Sequence, residues 1–327
     1  MKATGEGRKL RAGVIGVGSM GVNHARVYAE MEGVELAAVA DTSKDRLRMV
    51  TTAATTYDDY RRMLAVERLD VVSICVPTLL HHEVALAGIE RRVALLVEKP
   101  IAATLEEGRE MARAAREAGV PLMVGHVERF NPAVREVKRL LAEGRLGRVF
   151  QVYARRTGPF PQRVRDVGVV HDLAPHDIDI MSFLLESAVD RVYAETACGI
   201  ATEHEDLLTG VLRFGSGVTG VLDVNWLTPL KVRQLAVLGE KGLLQADYLS
   251  QEVRFYPRGE AAPPDMIRVE KKEPLRLELE AFVEAVREGR EPPVTAEDGL
   301  SALEIASLLV ESARRGEVVA PEPRRAS

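Results

Sequence analysis

A glycine-rich loop between an apolar strand pattern and a helical pattern constrains this chain more than any other feature. Its six residues are Gly16, Val17, Gly18, Ser19, Met20 and Gly21. Glycines let the backbone approach a pyrophosphate, and the N-terminus of the following helix offers free N–H groups to that anion. Asp41 ends the second predicted strand, where a carboxylate accepts hydrogen bonds from a ribose diol. This order predicts a dinucleotide-binding domain, against the alternative of a glycine-rich turn and an unrelated surface aspartate.

Asp41 also selects between dinucleotides. A carboxylate ~4 Å from a 2′-phosphate meets a repulsion of about 4 kcal/mol per charge pair at an effective dielectric constant of ~20. We therefore expect NAD as the cofactor and NADP as the less favoured one. Lys44 and Arg46 lie close enough in the sequence to offset part of this repulsion.

The rhythm of the chain changes near Gly125. Before it, continuous apolar runs alternate with helical stretches, which is typical of a parallel sheet covered on both faces. After it come a helix at 132–144, consecutive extended segments and two closing helices. Consecutive strands indicate an antiparallel sheet. The sequence thus predicts an α/β Rossmann domain with a doubly wound parallel sheet at 1–125. An α+β domain follows at 126–327, and its last helix is free to pack on the first domain.

The composition excludes several classes of function. Of the 327 residues, 46% are hydrophobic and 28% charged, and the formal net charge is −5. An acidic chain repels nucleic acid, and no run approaches the ~18 apolar residues of a membrane span, so we expect neither partner. Cys75 and Cys198 are the only cysteines and match no metal-ligand spacing. We expect reduced thiols, a cytoplasmic protein and no metal site.

Polar residues also follow the predicted strands at their carboxyl ends, where doubly wound sheets bind ligands. Glu98-Lys99-Pro100 ends one strand, and the ammonium group of Lys99 can donate to a substrate oxygen. The alternative is a solvated turn residue. His81 begins a helix, where histidines are often structural or exposed. The residues predicted to contact the cofactor outside the glycine loop are Asp41, Val76, Pro77, Thr78, His81, Glu98 and Lys99.

An acid and a histidine stand four residues apart in the second half. In HDLAPHDID, a helix that begins near Asp172 places Pro175 in its first turn, where a missing N–H costs nothing. Asp172 and His176 then share one face, and a carboxylate beside an imidazole suits proton abstraction from an alcohol. Two alternatives stay open: an Asp172 that only caps the helix, and a metal site. The candidate metal ligands are His171, Asp172, His176 and Asp177.

As an ordered set, GVIGVGSMG, EKP, GHVERFNP, HDLAPHDID and EPLRLELEAF resemble the glucose-fructose oxidoreductase, inositol dehydrogenase and MocA (Gfo/Idh/MocA) family. The resemblance implies an NAD(P)-dependent dehydrogenase whose second domain carries a large open, mainly antiparallel sheet. It also implies that Lys99 binds the reacting hydroxyl, His176 is the general base and Asp172 orients the substrate. The family's TPN motif reads Val76-Pro77-Thr78 here, which leaves one cofactor contact without its asparagine.

Two segments, GHVERFNPAV and NWLTPLKVRQLAVLG, resemble the sugar-nucleotide dehydrogenases of that family. Four arginines crowd the segment before Asp172 in an otherwise acidic chain, and guanidinium groups suit a diphosphate. The alternative is a surface cluster paired with acids such as Asp166. The predicted substrate-binding residues are Arg129, Arg155, Arg156, Arg163 and Arg165.

The expected function is therefore hydride transfer from a secondary hydroxyl of a UDP-N-acetylglucosamine-like sugar nucleotide to NAD. An inositol or free-sugar dehydrogenase would use the same lysine, aspartate and histidine. A non-catalytic NAD-binding regulator is the alternative from another class, while a methyltransferase would not explain Lys99 or the second sheet. The resemblance also implies a homodimer or homotetramer formed through the open sheet face.

Overall fold

The computed structural model describes residues 8–50, 52–160, 167–199, 203–259 and 263–322. The chain divides into two compact units. Unit 1 consists of Met1–Val127 with Glu273–Leu300, and unit 2 consists of Glu128–Lys272 with Ser301–Ser327. A single boundary at residue 125 does not account for segment 273–300, which belongs to unit 1.

Unit 1 is built on a parallel sheet of six strands in the order β3-β2-β1-β4-β5-β6 among the described residues. The strands are β1 Leu10–Ile15, β2 Val34–Ala40, β3 Thr55–Tyr57, β4 Val71–Ile74, β5 Ala94–Glu98 and β6 Leu122–Gly125. The predicted parallel Rossmann sheet is confirmed. Strand β3 was not predicted from the sequence, because it is three residues long and lies at the sheet edge with Thr55 and Thr56 exposed.

Five helices accompany this sheet: α1 Gly21–Glu30, α2 Lys44–Arg48, α3 Tyr60–Val66, α4 His81–Glu90 and α5 Leu105–Ala118. The sequence marks both ends of α5. Thr104 and Glu107 form a capping box at its start, and Gly119 closes it with φ of 64°, a left-handed conformation that glycine adopts without steric cost. A glycine directly after a helical pattern is a sequence signal of such a helix end.

Unit 2 contains an eight-stranded sheet in the order β14-β13-β12-β11-β7-β10-β9-β8 within its described ranges. The strands are β7 Val149–Pro159, β8 Val189–Cys198, β9 Glu205–Phe214, β10 Thr219–Asn225, β11 Leu227–Gly239, β12 Gly242–Asp247, β13 Glu252–Pro257 and β14 Asp265–Ile267. Neighbours pair antiparallel except β7 with β10, which are parallel. The predicted mainly antiparallel sheet is confirmed. A hairpin at Gly215–Gly217 joins β9 to β10.

The two faces of this second sheet differ in burial. Along β7, Val152, Ala154 and Arg156 are buried, whereas Gln151 and Arg155, which alternate with them, are exposed. Helices α6 Pro132–Ala142 and α7 Val169–Leu185 belong to this unit, and their apolar residues join the core of the buried face. This alternation is expected of a sheet with one covered face.

Two helices close the described chain, α8 Pro274–Glu288 and α9 Ala296–Arg315. Helix α8 belongs to unit 1, and Arg26 and Arg276 form ion pairs with Glu273 and Glu30 there. Among the described residues, no helix combines the length and the apolar character needed to cross a membrane.

Candidate functional site

Each of the three glycines in the loop after β1 has a different steric environment around its Cβ position. Gly16 has φ of 84°, and a Cβ atom there would lie 2.7 Å from the carbonyl oxygen of Cys75. A Cβ atom on Gly21 would lie 1.8 Å from the carbonyl oxygen of Gly16, because α1 starts against the loop. Beside Gly18, by contrast, no heavy atom lies within 4 Å of a Cβ position. The open side of the loop is therefore at Gly18, where a pyrophosphate needs room.

The remaining loop residues leave the helix start accessible. Val17 is buried, Ser19 is exposed and Met20 is half-buried. The first turn of α1 contains no acidic residue, so its own side chains do not neutralise the partial positive charge of the helix N-terminus. These observations fit the anionic part of a dinucleotide.

Asp41 follows β2 and holds the loop through its carboxylate. Its Oδ2 accepts a hydrogen bond of 2.9 Å from the backbone N–H of Val17, and its Oδ1 accepts one of 2.8 Å from Ser43. Arg46 approaches Asp41 with an Nη1–Oδ2 distance of 3.8 Å. The carboxylate thus lies beside the glycine loop, as a ribose-binding acid must, with the guanidinium group of Arg46 next to it.

His81 has a different place from the one predicted. Its ring is 1% exposed, with Nδ1 2.9 Å from the carbonyl oxygen of Pro100 and Nε2 3.0 Å from that of Val76. Burial lowers the pKa of His81, while the two carbonyls oppose that shift. Because both ring nitrogens face backbone oxygens, the predicted direct cofactor contact is revised: His81 links the segment after β4 to the segment after β5. Pro77 is exposed and Thr78 half-buried in the same segment.

Lys99 follows β5 directly and is half-buried. Glu98 before it accepts a hydrogen bond of 2.9 Å from His24 Nε2. Burial raises the pKa of Glu98, but the bond from His24 and the nearby positive charges outweigh burial and lower it. Glu98 pairs in register with Gly125 of β6, so His126 follows at the same sheet edge. His126 is 2% exposed, and sequence reasoning missed it although it ends a strand as Asp41 and Lys99 do.

Helix α7 of unit 2 carries the predicted acid and histidine. It begins at Val169 after Gly168, so the predicted start near Asp172 is wrong and Pro175 lies inside the helix. The buried Val169 and Val170 extend the helix into the core, and the carboxylate of Glu205 lies against Gly168, 2.1 Å from its Cβ position. An acid at that end favours a helix N-terminus.

Asp172 and His176 are four residues apart in α7, which places them on one face of the helix. Asp172 is 7% exposed, and His176 is half-buried. One of the four candidate metal ligands, Asp177, is engaged in an ion pair. Its two carboxylate oxygens accept hydrogen bonds from Arg156, at 2.7 Å from Nε and 3.1 Å from Nη2. Its carboxylate is therefore committed to an ion pair.

The arginines of β7 are neutralised by carboxylates of their own unit. Arg156 is 3% exposed and also contacts Glu128 at 3.1 Å. Burial lowers the pKa of Arg156, but the charges of Asp177 and Glu128 outweigh burial and raise it. Arg155 is exposed on the opposite face and pairs with Asp223 at 3.0 Å. For these two residues the pairing with acids favours the alternative of an acid-paired cluster over the predicted diphosphate contact. The two side chains also point to opposite faces of the sheet, as alternate residues of a strand do.

The other three substrate candidates differ in outcome. Arg129 is 8% exposed and binds Asp179 of α7 through two nitrogens, at 2.8 Å and 2.5 Å. Such a bidentate pair holds the guanidinium group in place, so the predicted substrate contact is corrected to a buried ion pair. Arg163 and Arg165 lie outside the described residues.

Arg233 of β11 is a cation that sequence reasoning missed. It pairs in register with Arg156 and donates a hydrogen bond of 2.6 Å to the carbonyl oxygen of Thr157. Burial, together with the charge of Arg156, lowers the pKa of Arg233 to about 10. Asp172 is among the acids that oppose this shift. Arg233 is therefore the half-buried cation that shares the electrostatic environment of Asp172.

Comparison with known proteins gives consistent matches over both units. Residues 10–126 match the "Oxidoreductase family, NAD-binding Rossmann fold" of Gfo/Idh/MocA proteins, and residues 134–245 match the "GFO/IDH/MocA C-terminal domain". The chain is 30% identical over 345 residues to D-apiose dehydrogenase of Paraburkholderia graminis, covering 95% of this chain and 90% of that one.

Two further similar proteins act on, or are bound to, sugar nucleotides. UDP-N-acetylglucosamine 3-dehydrogenase of Acidithiobacillus ferrooxidans is 28% identical, with 85% of this chain and 88% of that one covered. The crystal structure of the WlbA dehydrogenase from Bordetella pertussis, in complex with NADH and UDP-GlcNAcA, has a TM-score of 0.83 at 25% identity. That match covers 97% of this chain and 99% of the other.

Proposed function

Because the chain belongs to the Gfo/Idh/MocA family of NAD-binding oxidoreductases, we propose that it oxidises a secondary hydroxyl of a sugar nucleotide. The chain is an oxidoreductase of CH–OH groups with NAD as its cofactor, and the sugar nucleotide is the finer assignment. The dehydrogenase assignment rests on the glycine loop held by Asp41 and on Lys99 directly after β5. The sugar nucleotide is supported by Arg233, a half-buried cation near Asp172.

The nucleotide-binding features support NAD over NADP. Asp41 lies against the loop with its carboxylate fixed by two backbone N–H groups, so a 2′-phosphate there would meet a fixed negative charge. Arg46 is 3.8 Å from this carboxylate but its side chain is 58% exposed, so solvent screens its compensation. When bound, NAD supplies the hydride acceptor.

The residues proposed for the chemistry are Lys99, Asp172 and His176. Lys99 would donate a hydrogen bond to the reacting hydroxyl and stabilise the developing alkoxide. His176 would accept the hydroxyl proton at a ring nitrogen, and the neighbouring Asp172 would favour the resulting imidazolium and orient the substrate. The half-buried environment of His176 limits competition from water for that proton.

A free-sugar or inositol dehydrogenase is the second candidate, and a specific observation favours it. The arginines Arg129, Arg155 and Arg156 are paired with acids, which removes part of the charge argument for a diphosphate. The similar D-apiose dehydrogenase is named for a free sugar. Arg233 supports the sugar nucleotide instead, because it is a half-buried cation near Asp172.

A substrate panel separates these candidates. The purified protein with NAD should be assayed for NADH absorbance with UDP-N-acetylglucosamine, its uronic acid, free aldoses and inositols. We expect the highest kcat/KM with a UDP-sugar and a lower value with the matching free sugar. Equal values for both would favour the free-sugar function. No turnover with any of them, together with tight NAD binding, would favour a non-catalytic regulator.

We also propose a cytoplasmic homodimer or homotetramer formed through the exposed face of the second sheet. On that face, Tyr193, Val211, Val221 and Tyr153 follow one another in register across β8, β9, β10 and β7. Leu238 of β11 lies on the same face, in register with Gln151. Light scattering after gel filtration would give the subunit number. Replacement of Val211 by lysine should lower it, because Val211 is 42% exposed in the single chain.

A further inference from the structure

Four buried polar side chains form one continuous row of hydrogen bonds in unit 1. The Tyr28 hydroxyl lies 2.9 Å from Ser73 Oγ, and Ser73 Oγ lies 3.0 Å from His24 Nδ1. His24 Nε2 lies 2.9 Å from Glu98 Oε1. Tyr28, Ser73 and His24 are all 0% exposed. Buried polar groups are costly unless each one is paired, so this row fixes its members in place.

The geometry of the row allows its donors to align in one direction. When His24 donates from Nε2 to the Glu98 carboxylate, its Nδ1 can accept a hydrogen bond from the Ser73 hydroxyl. Ser73 then accepts from the Tyr28 hydroxyl. This assignment uses each donor once and ends on an ionised carboxylate, the residue immediately before Lys99.

The charged surroundings of the row keep that carboxylate ionised. Burial alone would raise the pKa of Glu98, and the bond from His24 together with Lys99 and His81 lowers it. Cys75, after β4, also faces this carboxylate, and burial raises the pKa of its thiol. Glu278 of α8 faces Cys75 and Tyr28 from the other side. Of these neighbours, His24 of α1 is the one that hydrogen-bonds the Glu98 carboxylate.

We propose that His24 is a positioning residue: it fixes the Glu98 carboxylate so that the adjoining Lys99 keeps the orientation needed at the reacting hydroxyl. The inference rests on the role of Lys99 in the proposed function. The thiol of Cys75, His24 and Glu98 lie within 4.8 Å of one another, but both ring nitrogens of His24 are already in the row. A positioning role agrees with that geometry better than metal ligation does.

Two substitutions of His24 separate the two halves of the row. His24→Gln keeps a donor that reaches Glu98, whereas His24→Asn reaches only as far as Ser73. With the panel sugar that the wild-type protein oxidises fastest, the asparagine variant should lose kcat by about 10²-fold, a typical effect of a small misplacement. The glutamine variant should recover most of it. NAD affinity, from NADH fluorescence titration, should stay within about threefold in both, since a threefold change is well under 1 kcal/mol.

The pH profile supplies a readout that a merely structural role would not move. Without His24, burial dominates at Glu98 and its pKa rises, so the acid limb of kcat should move to higher pH in His24→Asn. Glu98→Gln should reproduce the loss of kcat without the shift of the acid limb, because the limb set by the general base His176 remains, and this variant keeps the test valid if His24→Asn does not fold.

A folded His24→Asn protein with wild-type kcat and an unmoved acid limb would overturn the positioning role. So would a loss of kcat that the glutamine variant fails to recover. Lys99→Ala distinguishes this failure from failure of the proposed function. Loss of turnover in Lys99→Ala with wild-type kcat in His24→Asn would refute the positioning role alone, whereas retained turnover in Lys99→Ala would refute both.

Discussion

The glycine loop of unit 1 and the arginine cluster of unit 2 are equally conspicuous in the sequence. In the folded protein the loop leaves room for a ligand, whereas the arginines are paired with acids of their own unit. At the loop, Gly18 leaves open space and the α1 N-terminus carries no acid in its first turn. In the cluster, Arg156 is buried against Asp177 and Glu128. A ligand signal encoded in backbone geometry survives folding, whereas a signal encoded in side-chain charge depends on which acids the fold brings to it.

The largest expected effect concerns the individual side chains that we propose carry out the chemistry. Lys99→Ala and His176→Ala should each lower kcat by about 10²- to 10⁴-fold, the usual contribution of a general base or a positioned donor. NAD binding should change little, because both residues are proposed to act on the substrate hydroxyl. Steady-state kinetics and NADH fluorescence titration measure the two quantities.

The matched control for His176 is His82→Ala. His82 of α4 pairs with Glu110 of α5 at 2.9 Å and has no role in the proposal. Near-normal turnover of His176→Ala at neutral pH would contradict its role as the base.

The second prediction concerns the stability of the arginine cluster. Arg156→Met should lower the free energy of unfolding by about 3–5 kcal/mol, because it leaves Asp177 buried without its partner. Arg155→Met removes an exposed pair and should cost about 0–1 kcal/mol. Urea unfolding followed by circular dichroism measures both. Equal losses for the two variants would mean that Arg156 does not compensate a buried charge.

The third prediction sharpens the cofactor assignment. Asp41→Asn removes the negative charge but keeps an oxygen acceptor for one backbone N–H group. The ratio of NADPH to NADH affinity should rise by about tenfold or more, equivalent to about 1.4 kcal/mol, since repulsion of the 2′-phosphate is lost. Wild-type protein that already binds NADPH as tightly as NADH would refute the preference and point to Arg46 as a phosphate partner.

The smallest expected effect distinguishes a loop glycine needed for ligand binding from a loop glycine needed for stability. Gly18→Ala should weaken NADH binding by about tenfold and leave the melting temperature unchanged, because its Cβ meets only the ligand. Gly16→Ala should instead destabilise the fold by about 1–3 kcal/mol, the cost of a left-handed non-glycine residue. A Gly18→Ala protein with wild-type NADH affinity would place the pyrophosphate elsewhere.

Elements whose signals are local could be predicted from the sequence. The parallel strands, the end of α5 at Gly119, the hairpin at Gly215–Gly217 and the loop before α1 each follow from a few consecutive residues. The start of α7 could not be predicted, because the helix is extended by the buried Val169 and Val170 and by Glu205, which is distant in sequence. Strand β3 was missed because it has only three residues, two of them exposed at the sheet edge, and these show no apolar period.

The sequence by itself determined the class of the protein, the position of its dinucleotide loop and the acid that accompanies it, since these depend on short-range backbone conformation. Only the tertiary structure decided the partners of charged and titratable side chains. His81 lies between two carbonyl groups, Arg156 meets Asp177, and His24 meets Glu98, 74 residues away. Such pairings are set by sheet order and burial, and no short segment of the chain contains that information.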